Sequence, residues 1–379
     1  MRRRYISFDQ MSARAGSIPS LDGMRAVSIL LVLAAHFISS EQFPGGLGVY
    51  VFFVISGFLI TRLLLAEFNL SGRISLSRFY LRRIIRLYPV IIVFTLCVTG
   101  VYMALGRRWN LLEPTSALAY FANYLYVYLD FHKIPQDMPF GPFWSLSVEE
   151  HFYILFPVAV VLLRGNPVRL TWLLAGLCAA CLVLRLTVAS LHPEYLASLT
   201  FYAESQYRLD SIGYGVILAL ACQTDRGRRI LVRLAHPACS AVALAVLAAC
   251  LAAHNLWFRE TLRYSLLGCS IDVLTAGVLF SNRVPIVQSI LNTTILVWIG
   301  RLSYSIYIWH EGVSSVLRGV VATPWLSVTA NVVMTLVVAT ISYYGVEQPF
   351  MSLRKRLQSS RSPILPDAVG ERVLSKVGT

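Results

Sequence analysis

The sequence predicts an all-α fold, a polytopic membrane bundle of about ten transmembrane helices, and three observations carry that prediction. Of the 379 residues, 56% are hydrophobic and only 14% charged, whereas a soluble domain carries about a quarter charged residues. Apolar stretches long enough to be helical spans recur along the whole chain, with a mean hydropathy of +0.64. The lysines and arginines sit in short clusters between those stretches, as expected of loops retained on the cytoplasmic side of a membrane. The net charge of +14 therefore reads as topology, and it excludes nucleic acid as a partner because no continuous basic face carries it. Seven cysteines, odd in number and mostly inside apolar runs, include one CxxC at Cys178 and Cys181 within TWLLAGLCAACLVLRL. Small residues there pack on a helix face, so no disulfide framework and no metal site is indicated.

Taken in order, residues 1–17 form a basic cytoplasmic segment with Arg2, Arg3, Arg4 and Arg14. The apolar run after it has no small-residue cleavage site and is read as an uncleaved span. Expected spans are 20–38, 46–65, 85–105, 144–163, 170–191, 209–223, 237–256, 262–281, 303–321 and 324–346. The Tyr-rich stretch 115–129 is short, and charge decides its place. If it does not cross, the loops holding Arg73 to Arg86, Arg164 and Arg169, Arg226 to Arg233, and Arg283 with Arg301 all fall on the side of the N-terminus. The stretch is therefore expected to be interfacial or re-entrant, with both termini cytoplasmic and the membrane domain covering 18–350. Residues 351–379 are expected to be a polar cytoplasmic tail, without order from 358 onward.

The first span is unusual. Asp22, Arg25 and His36 leave only ten uncharged residues between the last two, short of the roughly 20 that a free-standing span needs, so neighbouring helices must shelter it. Eleven positions are close to three helical turns, which puts Arg25 and His36 on one face about 16 Å apart along the axis. Ionisable groups at membrane depth are costly and mark a site or a path by default. Arg83 and Arg86 lie one turn apart at the start of the third span, and guanidinium forks match phosphate oxygens bidentately. In FWSLSVEEHFY, Glu149 and Glu150 open the fourth span, where acidic residues also suit a helix start capped by Ser145 or Ser147. On the expected topology Glu149 shares a side with His36, and a carboxylate beside an imidazole holds its tautomer for general-base work. Arg208 and Asp210 in YRLDSIGYG could pair two helices or meet substrate hydroxyls, while Gly213 and Gly215 suit close helix packing. Tyr304 and His310 in LSYSIYIWH add polar groups to an apolar span, for packing or for substrate contact. Ser305 follows no nucleophile pattern of the hydrolases. Glu347-Gln348-Pro349 reads as a helix stop.

Taken together, Arg25-x10-His36, GVYVFFVISGFLI, the arginine-rich start of the third span, FWSLSVEEHFY, RLD followed by glycines, and LSYSIYIWH resemble the acyltransferase-3 family of integral-membrane acyltransferases, over roughly residues 17–350. The resemblance implies transfer of an acyl group, often acetyl, from acyl-CoA to a hydroxyl of a surface polysaccharide, lipopolysaccharide, Nod factor or macrolide. It also implies a bacterial inner-membrane location, acyl-CoA as a donor substrate and no permanently bound cofactor. The family pattern W-S-L-x-x-E falls on Glu149 and its RxxR on Arg83 and Arg86. His151 departs from the glutamine usual after the two glutamates. The roles implied are His36 as base, Glu149 as its orienting partner, Arg25 at the thioester or the developing oxyanion, and Arg83 with Arg86 at the donor headgroup. A covalent acyl-histidine relay is the mechanistic rival. A transporter or flippase, with His36, Glu149 and Asp210 on a proton or substrate path, is the other function class.

Overall fold

The structure is a computed structural model that describes residues 18–39, 42–318, 320 and 323–359. The basic N-terminal segment and most of the expected polar tail lie outside the described residues. Among the described residues the chain is helical with no strand. The principal helices are α1 (Pro19–Phe37), α2 (Gly45–Ser71), α3 (Leu76–Ala104), α4 (Leu112–Leu118), α5 (Ala122–Phe131), α6 (Phe143–Leu162), α7 (Pro167–Leu191), α8 (Ser205–Ala221), α9 (Asp225–Leu234), α10 (Pro237–Ala252), α11 (Leu262–Phe280), α12 (Pro285–Leu291), α13 (Thr294–Leu317), α14 (Pro324–Ser342) and α15 (Gln348–Ser359).

Local chemistry sets many of these boundaries. Proline occupies the first turn of α1, α7, α10, α12 and α14, where its missing N–H costs nothing. Asn166 caps α7 by accepting from the N–H groups of Val168 and Arg169, and Thr224 caps α9 by accepting from that of Gly227. Gly72, at φ 68°, ends α2 in the left-handed conformation.

Among the described residues, seven helices are long and apolar enough to cross a membrane: α1, α2, α3, α6, α7, α11 and the continuous run Pro324–Leu353. The pairs α9 with α10 and α12 with α13 pass the same measure together but bend by 72° and 56°, which raises the number to nine. The tenth expected stretch, 209–223, is the 17-residue α8. It is short for a lipid-facing span, yet it packs in the interior against α2, α7 and α11. Every expected span is thus helical, and the number supported by length is seven to nine. The stretch 115–129 is two short helices, α4 and α5, broken at Tyr120 with φ 55°. Neither is long enough to cross. Glu113 anchors this region by accepting from the backbone N–H groups of Asp137 and Met138 at 3.0 and 3.2 Å.

The helix stop expected at Glu347 is a π-helical turn, Tyr343–Glu347, after which the chain continues as α15. Glu347 is buried there and accepts a hydrogen bond from Ser305 Oγ at 3.0 Å. Large apolar side chains such as Leu162, Trp172 and Ile295 face outward, which suits contact with lipid rather than water.

The first span is sheltered as its composition requires. It lies between α2 and α13, and the backbone of Asp22 comes so close to Gly300 of α13 that a Cβ there would sit 1.9 Å from the Asp22 carbonyl oxygen. The α2–α8 contact is equally close: a Cβ on Gly215 would meet the Val54 oxygen at 1.9 Å, and one on Gly57 the Ile212 oxygen at 2.1 Å. Gly215 therefore has the expected packing role, and so α8 is fixed at the depth of the site.

Candidate active site

The single face carrying Arg25 and His36 opens onto two different cavities, one at each end of α1. The arginine cavity is lined by Arg25, Ser56 of α2, Arg83 and Arg86 of α3, Glu149 and Tyr153 of α6, and Tyr304 of α13, among others. Long helices put the arginines there. Because α3 begins at Leu76, Arg83 and Arg86 lie two to three turns inside the helix. Arg83 donates to Glu150 through Nε at 2.8 Å, and its guanidinium stacks 3.3 Å from the centre of the Tyr153 ring. Arg86 keeps a buried Nε with no hydrogen-bond partner. Ser56 Oγ donates to Glu149 at 2.9 Å. Tyr304 lines this cavity and donates to the Leu87 carbonyl at 3.1 Å. Three arginines and two glutamates on one wall set leave a site whose formal charge favours an anionic ligand.

The histidine cavity is lined by His36, Tyr50, Trp144, Tyr202, Arg208, Tyr264, Tyr307 and Glu311, among others. His36 Nδ1 lies 2.8 Å from the Val32 carbonyl oxygen. A carbonyl can only accept, so Nδ1 carries the hydrogen and Nε2 carries the lone pair. That Nε2 stands 3.3 Å from Glu311 Oε1. His310 is fully buried, holds its Nδ1 2.6 Å from the Tyr307 carbonyl and sets its ring edge-on to His36 at 4.8 Å.

The carboxylate beside His36 is therefore Glu311, not Glu149. Glu149 lines the arginine cavity with Arg25, more than one helical turn further along α6 than Trp144, which reaches the histidine cavity. His151 lines neither cavity and meets Ser205 Oγ at 2.6 Å. Arg208 and Asp210 do not pair with each other. Asp210 is bound by Arg185 at 2.7 Å, both side chains fully buried, and the same guanidinium donates to Ser265. Arg208 instead sits among the rings of Tyr50, Phe53, Trp144, Tyr202 and Tyr264, the last at 4.1 Å. Two of its nitrogens, Nε and one terminal group, have no partner.

The two cavities share Tyr307 and Val49 as a common wall. The Tyr307 hydroxyl is fixed by Ser145 Oγ at 2.8 Å and by the Pro142 carbonyl at 3.1 Å. Glu311 and Tyr307 are among the site residues that the sequence alone did not single out. A signal for the first was available: Glu311 directly follows His310 inside an apolar helix, where a carboxylate is costly without a task.

The model of a family described as an acyltransferase domain matches residues 18–344. The chain belongs to the acyltransferase-3 family. Both cavities fall within the matched acyltransferase-3 region. A Staphylococcus aureus (strain MRSA252) protein provisionally named an O-acetyltransferase is 29% identical over 372 residues, covering 93% of this chain and 60% of that protein. The O-acetyltransferase OatA of Staphylococcus aureus (strain NCTC 8325 / PS 47) is 27% identical over 351 residues, covering 88% of this chain and 57% of its own. The chain thus spans about three-fifths of the length of these acyltransferase-3 relatives. No solved structure matches it.

Proposed function

We propose that the chain is an integral-membrane O-acetyltransferase that takes an acetyl group from acetyl-CoA in the arginine cavity and delivers it to a hydroxyl in the histidine cavity. The observation that carries this reading is the pair of cavities on one face of α1, one walled by Arg25, Arg83 and Arg86, the other holding a histidine whose Nε2 lies beside Glu311, meeting at Tyr307. Arginine forks suit the phosphates of the donor. The aromatic rings around Arg208 suit the faces of a sugar acceptor, and its unpartnered nitrogens suit that sugar's oxygens. The bacterial inner membrane, with acetyl-CoA supplied from the cytoplasm, is the location that fits this division.

In the reaction, His36 Nε2 takes the proton of the acceptor hydroxyl as its oxygen attacks the thioester carbonyl carbon. The C–S bond then breaks, the acetyl ester forms, and the departing thiolate of CoA takes up the proton from the imidazolium. Glu311 pairs with the imidazolium while it carries that proton, the role first expected of Glu149. Arg25 and Glu149 line the donor side, where the guanidinium steadies the oxyanion of the tetrahedral intermediate. The donor thioester must reach past Tyr307 to within about 3–3.5 Å of the hydroxyl, so the tyrosine side chain turns or slides during turnover.

The test is release of free CoA thiol and appearance of acetylated product when the purified protein is given labelled acetyl-CoA and a glycan acceptor. A transporter or flippase would move solute without consuming the thioester, and that result would reject the proposal.

A further inference from the structure

We propose that His36, His310 and Glu311 form a binding site for a divalent transition-metal ion of the zinc class, and that the bound ion takes His36 out of its role as base. The second half rests on the function proposed above; the first does not.

Both imidazoles commit Nδ1–H to a backbone carbonyl, His36 to Val32 at 2.8 Å and His310 to Tyr307 at 2.6 Å. Both Nε2 atoms therefore present lone pairs. His36 Nε2 faces an acceptor, Glu311 Oε1, at 3.3 Å with no hydrogen of its own to place between them. His310 is fully buried and its Nε2 has no hydrogen-bond partner at all. One candidate ligand atom from each of the three residues, two nitrogens and one carboxylate oxygen, lies within 4.8 Å of the other two. A proton shared by His36 and Glu311 satisfies that pair and leaves His310 an orphan. A cation bound by all three satisfies every atom.

The donor set then selects the ion. Two imidazole nitrogens and one carboxylate suit zinc and its neighbours rather than calcium or magnesium, which prefer all-oxygen shells. Backbone carbonyls that hold the far nitrogen of each ring are the usual support for metal-bound histidine, because they fix the tautomer and aim Nε2. Zinc bonds of about 2.0–2.2 Å require the three atoms to close in by roughly 1 Å. His36 supplies that movement: its side chain is 41% exposed, whereas His310 is locked. The fourth position opens into the histidine cavity, where Glu311 and His36 are both lining residues. Of the three arginines lining that cavity, Arg263 is engaged by Glu260 and Arg208 by its ring of aromatic side chains, while Arg259 keeps a buried Nε without a hydrogen-bond partner. Once ligated, His36 Nε2 has no lone pair to offer a hydroxyl, so metal occupancy and base catalysis exclude each other.

The experiment uses the full chain, purified in detergent and stripped with EDTA, with neither donor nor acceptor present. Titration with zinc should show one ion per chain. Cobalt(II) in its place should give the intense visible absorption of a four- or five-coordinate nitrogen and oxygen site. His310→Ala and Glu311→Gln should each weaken binding by at least about tenfold. Because a variant with an altered core may fold poorly, X-ray absorption of the zinc-loaded native protein provides a second reading: two imidazoles and no sulfur. Affinity unchanged in both variants, or a thiolate in the shell, overturns the site. In the acetyl-transfer assay, saturating zinc should abolish turnover and EDTA should restore it. Full turnover by the zinc-loaded protein overturns the exclusion. A protein that binds the ion as described but never releases CoA thiol leaves the metal site standing and rejects the acetyltransferase reading instead.

Discussion

Glu311 Oε1 lies 3.3 Å from His36 Nε2, on α13 rather than on α6 where a carboxylate partner was expected, and in a cavity that Glu149 does not enter. Two glutamates thus serve two ends of one face. Exchanging each for glutamine should separate them. Glu311→Gln removes the negative charge that pairs with the imidazolium, and turnover should fall about ten- to a hundredfold with little change in the KM for acetyl-CoA. Glu149→Gln alters the wall beside Arg25, and its effect should fall on the donor side. Equal effects of both variants on both parameters would contradict the division into two cavities.

For His36→Ala, turnover should fall by about two to four orders of magnitude while acetyl-CoA still binds, since the donor groups lie in the other cavity. The measurement is a steady-state rate alongside equilibrium donor binding in the same detergent-purified protein. A near-native rate removes His36 from the chemistry. An acetyl group trapped on His36 in the presence of donor alone moves the mechanism to a covalent relay.

Arg83 and Arg86 share a cavity but not a state of engagement. Arg83 is held by Glu150 and stacked on Tyr153, whereas Arg86 has an unpartnered buried nitrogen. Arg86→Ala should therefore raise the KM for acetyl-CoA with a smaller change in kcat. Arg83→Ala should raise KM and also lower the melting temperature, because it strands Glu150. Arg83→Lys should recover only part of either loss, since a lysine cannot supply the fork.

Arg185 and Asp210 form a fully buried ion pair at 2.7 Å that lines neither cavity. Removing one partner leaves an uncompensated charge in the interior. Arg185→Met should destabilise the protein by about 3–5 kcal/mol, seen as a lowered melting temperature in detergent. If folded Arg185→Met protein kept full stability but lost donor binding, Arg185 would have to be reassigned to the site.

Topology is open to labelling. Single cysteines in 224–235 should react only with reagents given access to the cytoplasm, and those in 130–143 only with reagents outside. Labelling of 224–235 from outside would invert the assignment of donor and acceptor sides.

The long apolar stretches and their punctuation made the helices legible, and Pro19, Pro167, Pro237 and Pro324 marked the starts of four of them. The site was legible only in part, because a sequence gives distances along one helix but not which helix faces it. The eleven-residue spacing correctly placed Arg25 and His36 on one face, yet that face passes from one cavity to another. Glu149 was matched to His36 by side of the membrane, a measure too coarse to resolve one turn of α6. Of the two roles read for Arg208 and Asp210, Asp210 takes the helix-pairing one through Arg185, 25 positions away on α7; residues two apart on a helix point away from each other, so Arg208 has no share in that pair. The bend before α13 and the π-turn at Tyr343–Glu347 answer to packing against neighbours and left no mark in hydropathy.

Tyr307, tied to Ser145 and Pro142, stands where the two cavities meet. A protein hollowed from both ends of a membrane helix is close to being a pore. With that hydroxyl in place the tyrosine stands between the two cavities, and on the proposed function it would bar a water column from one to the other. On the same proposal, the partition would also keep bulk water on the acceptor side from the thioester and so limit wasteful hydrolysis of the donor.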